Sequence, residues 1–174
     1  MKKIFISGFD IFHKEAYFIC HNQKQICIKY GFEPIHPFDK ELSNNDLPQD
    51  DFIQNIVDKN LEDINKSDII IANLNSFRGA EPDSGTVFEC GYGFAKSKIV
   101  IGYKSKLKSY IEEYIDELKL EPIFEDNLRY DHKGFLIDTF SNNFNIMLEK
   151  NIIIVEGDFN DAVKKAFEII NIKE

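Results

Sequence analysis

Two carboxylates, Asp83 and Glu89, stand six positions apart in the run Phe77-Arg78-Gly79-Ala80-Glu81-Pro82-Asp83-Ser84-Gly85-Thr86-Val87-Phe88-Glu89-Cys90-Gly91-Tyr92. The run follows an apolar stretch, Asp68 to Leu74, and opens a helical pattern. It therefore reads as a strand, a Gly/Pro-rich turn and a helix start. That is where an α/β sheet usually holds its ligand. An acid pair there suits glycosyl chemistry, because one carboxylate can attack a sugar carbon while the other handles the proton of the leaving group.

The same residues also fit a plain structural reading. Thr86-Val87-Phe88-Glu89 matches a capping box in which Glu89 closes the first turn of its own helix. Asp83 near that terminus would favour the helix dipole without any catalytic part. Two features favour a site. The pattern puts Val87, Cys90, Gly91, Phe94 and Ala95 on the core face and turns Glu89 away from it, beside Gly85, Tyr92 and Gly93. Small and aromatic residues around a carboxylate suit a pocket wall, and Gly79, Pro82 and Gly85 let backbone approach a ligand closely. Taken on these residues alone, both readings stay open.

The elements that must position the pair are legible from periodicity. Lys3 to Ser7 is a short apolar strand ending at Gly8, and Ala16 to Tyr30 carries the helical stripe Ala16, Ile19, Cys20, Cys27, Tyr30. Gly31 stops that helix, and Phe32 to Pro37 reads as a second strand. Phe38 to Gln49 is polar and aperiodic, either a lid or binding segment or a surface connection. Asp50 to Asn65 is an amphipathic helix with Ile53, Ile56, Val57, Leu61 and Ile64 on one face. Asn60 interrupts that face, and its amide needs a partner, whether a ligand or a neighbouring loop.

Asp68 to Leu74 reads as a buried central strand, Thr86 to Lys98 as a helix, Ile99 to Tyr103 as a strand and Lys106 to Leu118 as a helix. Lys119 to Asn143 is irregular, charged and aromatic. Ile152 to Val155 is a fifth strand, and Asp158 caps a last helix through Ile170. Five strands alternating with helices predict an α/β fold with an open parallel sheet and helices on both faces. No repeat, linker or low-complexity segment divides the 174 residues, which are expected to form one domain.

Composition narrows the ligand. A net charge of −9 argues against a nucleic-acid surface, which needs clustered Lys and Arg. Small neutral substrates remain open, and the 16 Phe and 7 Tyr offer flat apolar rings for a base or sugar, although most must fill the core. His13, His21, His36 and His132 lack metal-ligand spacing, and Cys20, Cys27 and Cys90 lack any CxxC pair, so no metal and no cofactor is expected and the thiols read as reduced. Apolar stretches fall well short of a membrane span and the N-terminus has no signal-peptide layout, which points to a cytoplasmic protein with no membrane partner.

The sequence resembles the nucleoside 2-deoxyribosyltransferase family. The resemblance rests on Ser67 to Leu74, on Phe77-Arg78-Gly79 through Asp83-Ser84-Gly85-Thr86, and on Phe88-Glu89-Cys90-Gly91-Tyr92. The N-terminal Ile4-Phe5-Ile6-Ser7-Gly8-Phe9-Asp10-Ile11-Phe12 and the late Asn145-Ile146-Met147 also fit. The resemblance implies a flavodoxin-like, doubly wound five-stranded sheet and exchange of the nucleobase of a 2′-deoxynucleoside for a free nucleobase. Glu89 would be the nucleophile at the anomeric carbon, and Asp83 would protonate the departing base and deprotonate the incoming one. Gly8, Phe12, Asn60, Phe77, Arg78 and Gly79 would line the substrate pocket. Asn145 and Met147 would complete a neighbouring subunit's site, which implies a homo-oligomer. To donate, Asp83 must hold a proton, so burial and the charge of Glu89 should raise its pKa.

Three departures stand out: Phe5 where many members carry Tyr, whose hydroxyl could hold the nucleophile, Phe9 for a frequent Pro, and Ser97 for a frequent Gly. Two rivals remain. A related hydrolase cleaves 2′-deoxynucleoside 5′-monophosphates, but a carboxylate at position 83 would repel the phosphate. A non-catalytic nucleotide-binding module on the same fold would leave the acid pair unexplained.

Overall fold

Short β-branched runs separated by amphipathic segments form layered helices and strands in a computed structural model, which describes residues 1–39, 48–137, 140 and 142–172. In chain order the elements are β1 Lys3–Ser7, α1 Ala16–Lys29, β2 Glu33–Ile35, α2 Gln49–Lys66, β3 Ile69–Asn73, α3 Ser84–Ala95 and β4 Ile99–Lys104. They continue with α4 Tyr110–Leu118, β5 Ile123–Glu125, β6 Leu128–Tyr130, α5 Ile146–Glu149, β7 Ile153–Glu156 and α6 Phe159–Asn171. The expected lid or connection at 38–49 falls for the most part outside the described residues.

Five parallel strands lie in the order β2-β1-β3-β4-β7, the flavodoxin-like doubly wound arrangement. The chain winds outward in opposite directions from β1 and β3, so their C-terminal ends form the topological switch point. β1 pairs with β3 through Ile4↔Ile69 to Ser7↔Ala72, and β3 pairs with β4 through Ile69↔Ile99 to Asn73↔Tyr103. Alternation along the strands then assigns side chains to two cores. Ile4, Ile6, Ile69, Ile71 and Ile101 pack with Cys27 of α1 and Ala162, Val163 and Ala166 of α6. Phe5, Ile70, Ala72 and Val100 pack on the other face with Ile64 of α2 and Cys90 of α3. Each large apolar side chain buried this way stabilises the fold by about 1.5–3 kcal/mol.

Three local expectations are corrected. The stripe on α2 does not bury along its length: Ile53 and Val57 stay 48% and 43% exposed, while Ile64 is fully buried. Only the C-terminal part of α2 reaches the sheet. The segment 119–143 is not irregular throughout, because β5 and β6 form an antiparallel hairpin. Its turn places Asp126 and Asn127 at φ 48° and 63°, the left-handed pair that a two-residue hairpin turn demands. The helix expected from Lys106 begins instead at Tyr110, because Ser109 and Glu112 form a reciprocal capping box there.

No helix among the described residues is long and apolar enough to cross a membrane.

Candidate active site

The helix α3 begins at Ser84, not at Thr86, because Asp83 supplies the N-cap. Its Oδ2 accepts from the Thr86 backbone N–H and from the Thr86 hydroxyl, each at 2.9 Å. The expected Thr86–Glu89 capping box is therefore not the one that closes this terminus. Glu89 is released from that duty.

The buried face of α3 is also rotated from the one expected. Thr86, Cys90 and Gly93 are buried, whereas Gly91, Phe94 and Ala95 are exposed. Gly93 suits this rotation: a Cβ there would lie 2.0 Å from Ile70 Cδ1, so any larger residue would force the buried Ile70 side chain to shift. At 100° per residue, Glu89 flanks that buried face instead of pointing away from it. Its side chain reaches the sheet, where Oε2 accepts a hydrogen bond from the Ser7 hydroxyl at the end of β1.

This environment holds Glu89 protonated far more readily than an exposed glutamate. Burial raises its pKa from 4.5 to about 7; the Ser7 hydrogen bond opposes the rise and the nearby Asp83 charge adds to it. A carboxyl poised near neutrality at a switch point is a candidate functional group.

Around the pair, β1 and β3 deliver the remaining groups. Gly8 follows Ser7 where the strands converge, and a Cβ there would sit 2.8 Å from Asn73 Cβ and 3.2 Å from Asp10 Oδ2. The Asn73 amide donates to both oxygens of Asp10 at 3.2 and 3.1 Å, and the Gln23 amide donates to Oδ2 at 3.2 Å. Asn73 Oδ1 in turn accepts from the Asn75 backbone and side-chain amides at 3.1 and 2.7 Å. This polar network braces the strand ends beneath the site.

Above it, Phe77 stacks on Phe9 at 4.8 Å and on Phe12 at 5.8 Å between ring centroids. The Arg78 guanidinium lies 4.7 Å from the Phe77 ring centre. Arg78 also adopts φ 56°, a left-handed conformation that a non-glycine residue holds only where its surroundings impose it. Gly79 follows at φ 152°.

Gly8 thus adjoins Ser7, the partner of Glu89, and Phe12 and Arg78 gather on Phe77 with Gly79 two residues on in the chain, while Asp83 and Glu89 are carried by α3. Asn60 is partly buried on α2, which is fastened to α3 by a 3.1 Å bond from the Asn65 amide to the Tyr92 hydroxyl. Asn145 and Met147 lie elsewhere. They line an apolar groove of about 330 Å³ with Val87, Gly91 and Phe94, a side of α3 distinct from the one that meets Ser7. Asn145 caps α5, accepting from the Met147 amide at 3.0 Å, and Met147 is 73% exposed.

Two groups escaped the sequence reading. In the sequence Ser7 is only the end of a strand, and Asp10 only a member of the N-terminal run that fits the family. A hydroxyl at the last residue of a strand beside the switch point was the available signal for Ser7. The hydroxyl missing at position 5 is no loss to the interior, where Phe5 is fully buried. Among the described residues no cluster of His, Cys, Asp and Glu could hold a metal ion.

Comparison with known proteins bears on the family and the fold. The sequence profile of the nucleoside 2-deoxyribosyltransferase family matches residues 4–147. The fold is similar to a 2-deoxyribosyltransferase from Leishmania mexicana, at 27% identity and a TM-score of 0.74, over 97% of this chain and 98% of that one. It is also similar to a 2-deoxyribosyltransferase from Bacillus psychrosaccharolyticus, at 20% identity and a TM-score of 0.52, over 71% and 86% of the two chains. A CMP N-glycosidase from Clostridium botulinum superposes more loosely, at 15% identity and a TM-score of 0.45, over 95% and 98%. No curated protein matches the chain significantly.

Proposed function

The chain belongs to the nucleoside 2-deoxyribosyltransferase family, and from that premise we propose that it exchanges the base of 2′-deoxynucleosides through a deoxyribosyl ester on Glu89, with Asp83 as general acid and base. The observation that carries this reading is the orientation of Glu89. Its carboxylate leaves the amides of its own helix to Asp83 and turns to the strand ends at the switch point.

In the first half-reaction a lone pair of one Glu89 oxygen forms the bond to C1′ as the C1′–N bond breaks. The electron pair leaves with the base nitrogen, which takes a proton from Asp83. In the second half, Asp83 removes a proton from an incoming base, whose nitrogen attacks C1′ and returns the electron pair to Glu89. Two displacements on opposite faces give net retention.

The proton inventory follows from the same scheme. A neutral nucleoside becomes a neutral free base only if the enzyme supplies one proton, so the reactive enzyme carries a single proton on its carboxyl pair. Burial favours the proton on Glu89 by raising its pKa to about 7; catalysis needs the proton on Asp83. Kinetics therefore report the pair, not either carboxyl alone.

The stacked Phe77, with Phe12 and Arg78, offers a flat apolar and cationic wall for the base. Gly8, Gly79 and Asn60 complete the pocket. Asn145 and Met147, set across α3 with Met147 open to solvent, serve a neighbouring copy's site, so the working form is a homo-oligomer. Salvage of nucleobases in the cytoplasm is the setting that suits such an exchange.

The test is incubation of the purified protein with deoxyinosine, with and without adenine or cytosine, followed by chromatography. Formation of the new deoxynucleoside supports transfer. Release of hypoxanthine at one rate regardless of acceptor would instead mark a hydrolase. A 2-fluoro-2-deoxy nucleoside should leave a sugar mass on Glu89, and an unmodified Glu89 peptide after turnover would end the covalent scheme.

A further inference from the structure

On the reading just given, Glu89 must present one oxygen to the anomeric carbon and keep the other out of its way. We propose that Ser7 is the positioning residue for this step: its hydroxyl holds Oε2, leaving Oε1 to attack, and steadies the carboxylate when the ester breaks.

The geometry is rigid on both sides. Ser7 is 2% exposed and belongs to β1, locked in register with Ala72 of β3. The residue after it, Gly8, is pinned against Asn73. Glu89 rides on α3, which meets the sheet where Gly93 faces Ile70. Donor and acceptor thus come from two packed elements, not from a loop. Alternation along β1 turns Ser7 and Phe5 to the same face, toward α3, and Phe5 carries no hydroxyl. The buried Ser7 hydroxyl has one proton to give, and Glu89 Oε2 receives it.

That bond persists through the chemistry. When Oε1 binds C1′ and the C1′–N pair leaves with the base, Oε2 becomes the carbonyl oxygen of the ester and still accepts from Ser7. When the second base attacks and the C1′–Oε1 bond breaks, the returning electron pair makes a carboxylate that the same hydroxyl stabilises. Hydrogen bonds to ionised groups are the strong ones. The other groups acting on Glu89 oppose or ignore its charge: Asp83 from the leading turn repels it, and the adjacent Cys90 thiol is itself pushed up to about 12 by burial and by Glu89. Ser7, reaching across from β1, is what favours the anion. From α2, the neutral Asn65 amide donates to the Tyr92 hydroxyl of α3.

The experiment compares the full-length chain with Ser7→Ala and Ser7→Thr. Carbon-13 NMR of the glutamate carboxyls follows Glu89, assigned by its absence in Glu89→Gln, and base exchange is timed in parallel. Ser7→Ala should move the Glu89 midpoint upward and slow kcat by about 10–100-fold, with KM for the acceptor base little changed. Ser7→Thr, which keeps the hydroxyl, should restore both. A Glu89 midpoint unmoved in Ser7→Ala overturns the proposal whatever the rate does, and so does a Ser7→Thr enzyme no better than Ser7→Ala. Should alanine fail to fold, Ser7→Cys fills the space with a weak donor, and the same shift is required of it. The NMR arm stands apart from activity: a wild-type protein with no base exchange defeats the functional reading, while the titration still decides whether Ser7 holds Glu89.

Discussion

Replacing Glu89 by glutamine should make the protein more stable and less sensitive to pH while abolishing its activity. Burial moves the Glu89 carboxyl from 4.5 to about 7, so the folded chain binds this proton more tightly than the unfolded one. The sign follows from linkage: the stability contributed by Glu89 is fully present below pH 4.5 and is lost as pH rises through about 7. At 1.36 kcal/mol per tenfold change in proton affinity, the whole titration amounts to about 3 kcal/mol, most of it between pH 5 and 8. The amide introduced by Glu89→Gln carries no charge to desolvate and can still accept from Ser7. Urea unfolding of both proteins at half-unit steps from pH 4.5 to 8.5 isolates the effect, because other titrating groups cancel in the difference. The variant's advantage should grow by about 2–3 kcal/mol across that range, or roughly 5–10 °C in Tm for a chain of this size. A difference that stays flat, or one that shrinks as pH rises, would mean that Glu89 is not held protonated by its surroundings, and the electrostatic case for the site would fall with it.

Other outcomes follow from the same geometry. Because the reactive enzyme carries one proton on its carboxyl pair, kcat/KM for the nucleoside should fall about tenfold per pH unit above about 7; a plateau extending past pH 9 contradicts the shared proton. Asp83→Asn keeps an N-cap acceptor and should leave stability nearly unchanged while base exchange drops by about 10²–10⁴-fold. Asp83→Ala loses the two bonds to Thr86 as well and should also lose about 1 kcal/mol in denaturant unfolding. Gly93→Ala drives a methyl into Ile70, so about 1–3 kcal/mol of stability should disappear, with a lower kcat as α3 is pushed off the sheet. Wild-type melting behaviour in that variant would show that α3 is not seated as described.

Much of the fold was written locally. The runs Ile69-Ile70-Ile71 and Ile99-Val100-Ile101 can be little other than buried strands, and alternation with helices makes the sheet parallel. The acid pair was equally visible, because residue type and spacing at a strand-to-helix turn are sequence properties. Which way its carboxyls face was not. Thr86-Val87-Phe88-Glu89 offers a capping box as good as many real ones, and only the competition from Asp83 for the Thr86 amide decides that Glu89 is free. The rotation of α3 brings Gly93 against Ile70, two residues whose contact no local pattern announces. Ser7 and Glu89 are separated by 82 positions, so their hydrogen bond exists only once β1 and α3 share a face. Chemical type and periodicity belong to the chain as written. The orientation of a charged group, and with it the proton affinity that makes it useful, arises from neighbours delivered by packing, since desolvation and hydrogen bonding act through space and not along the sequence.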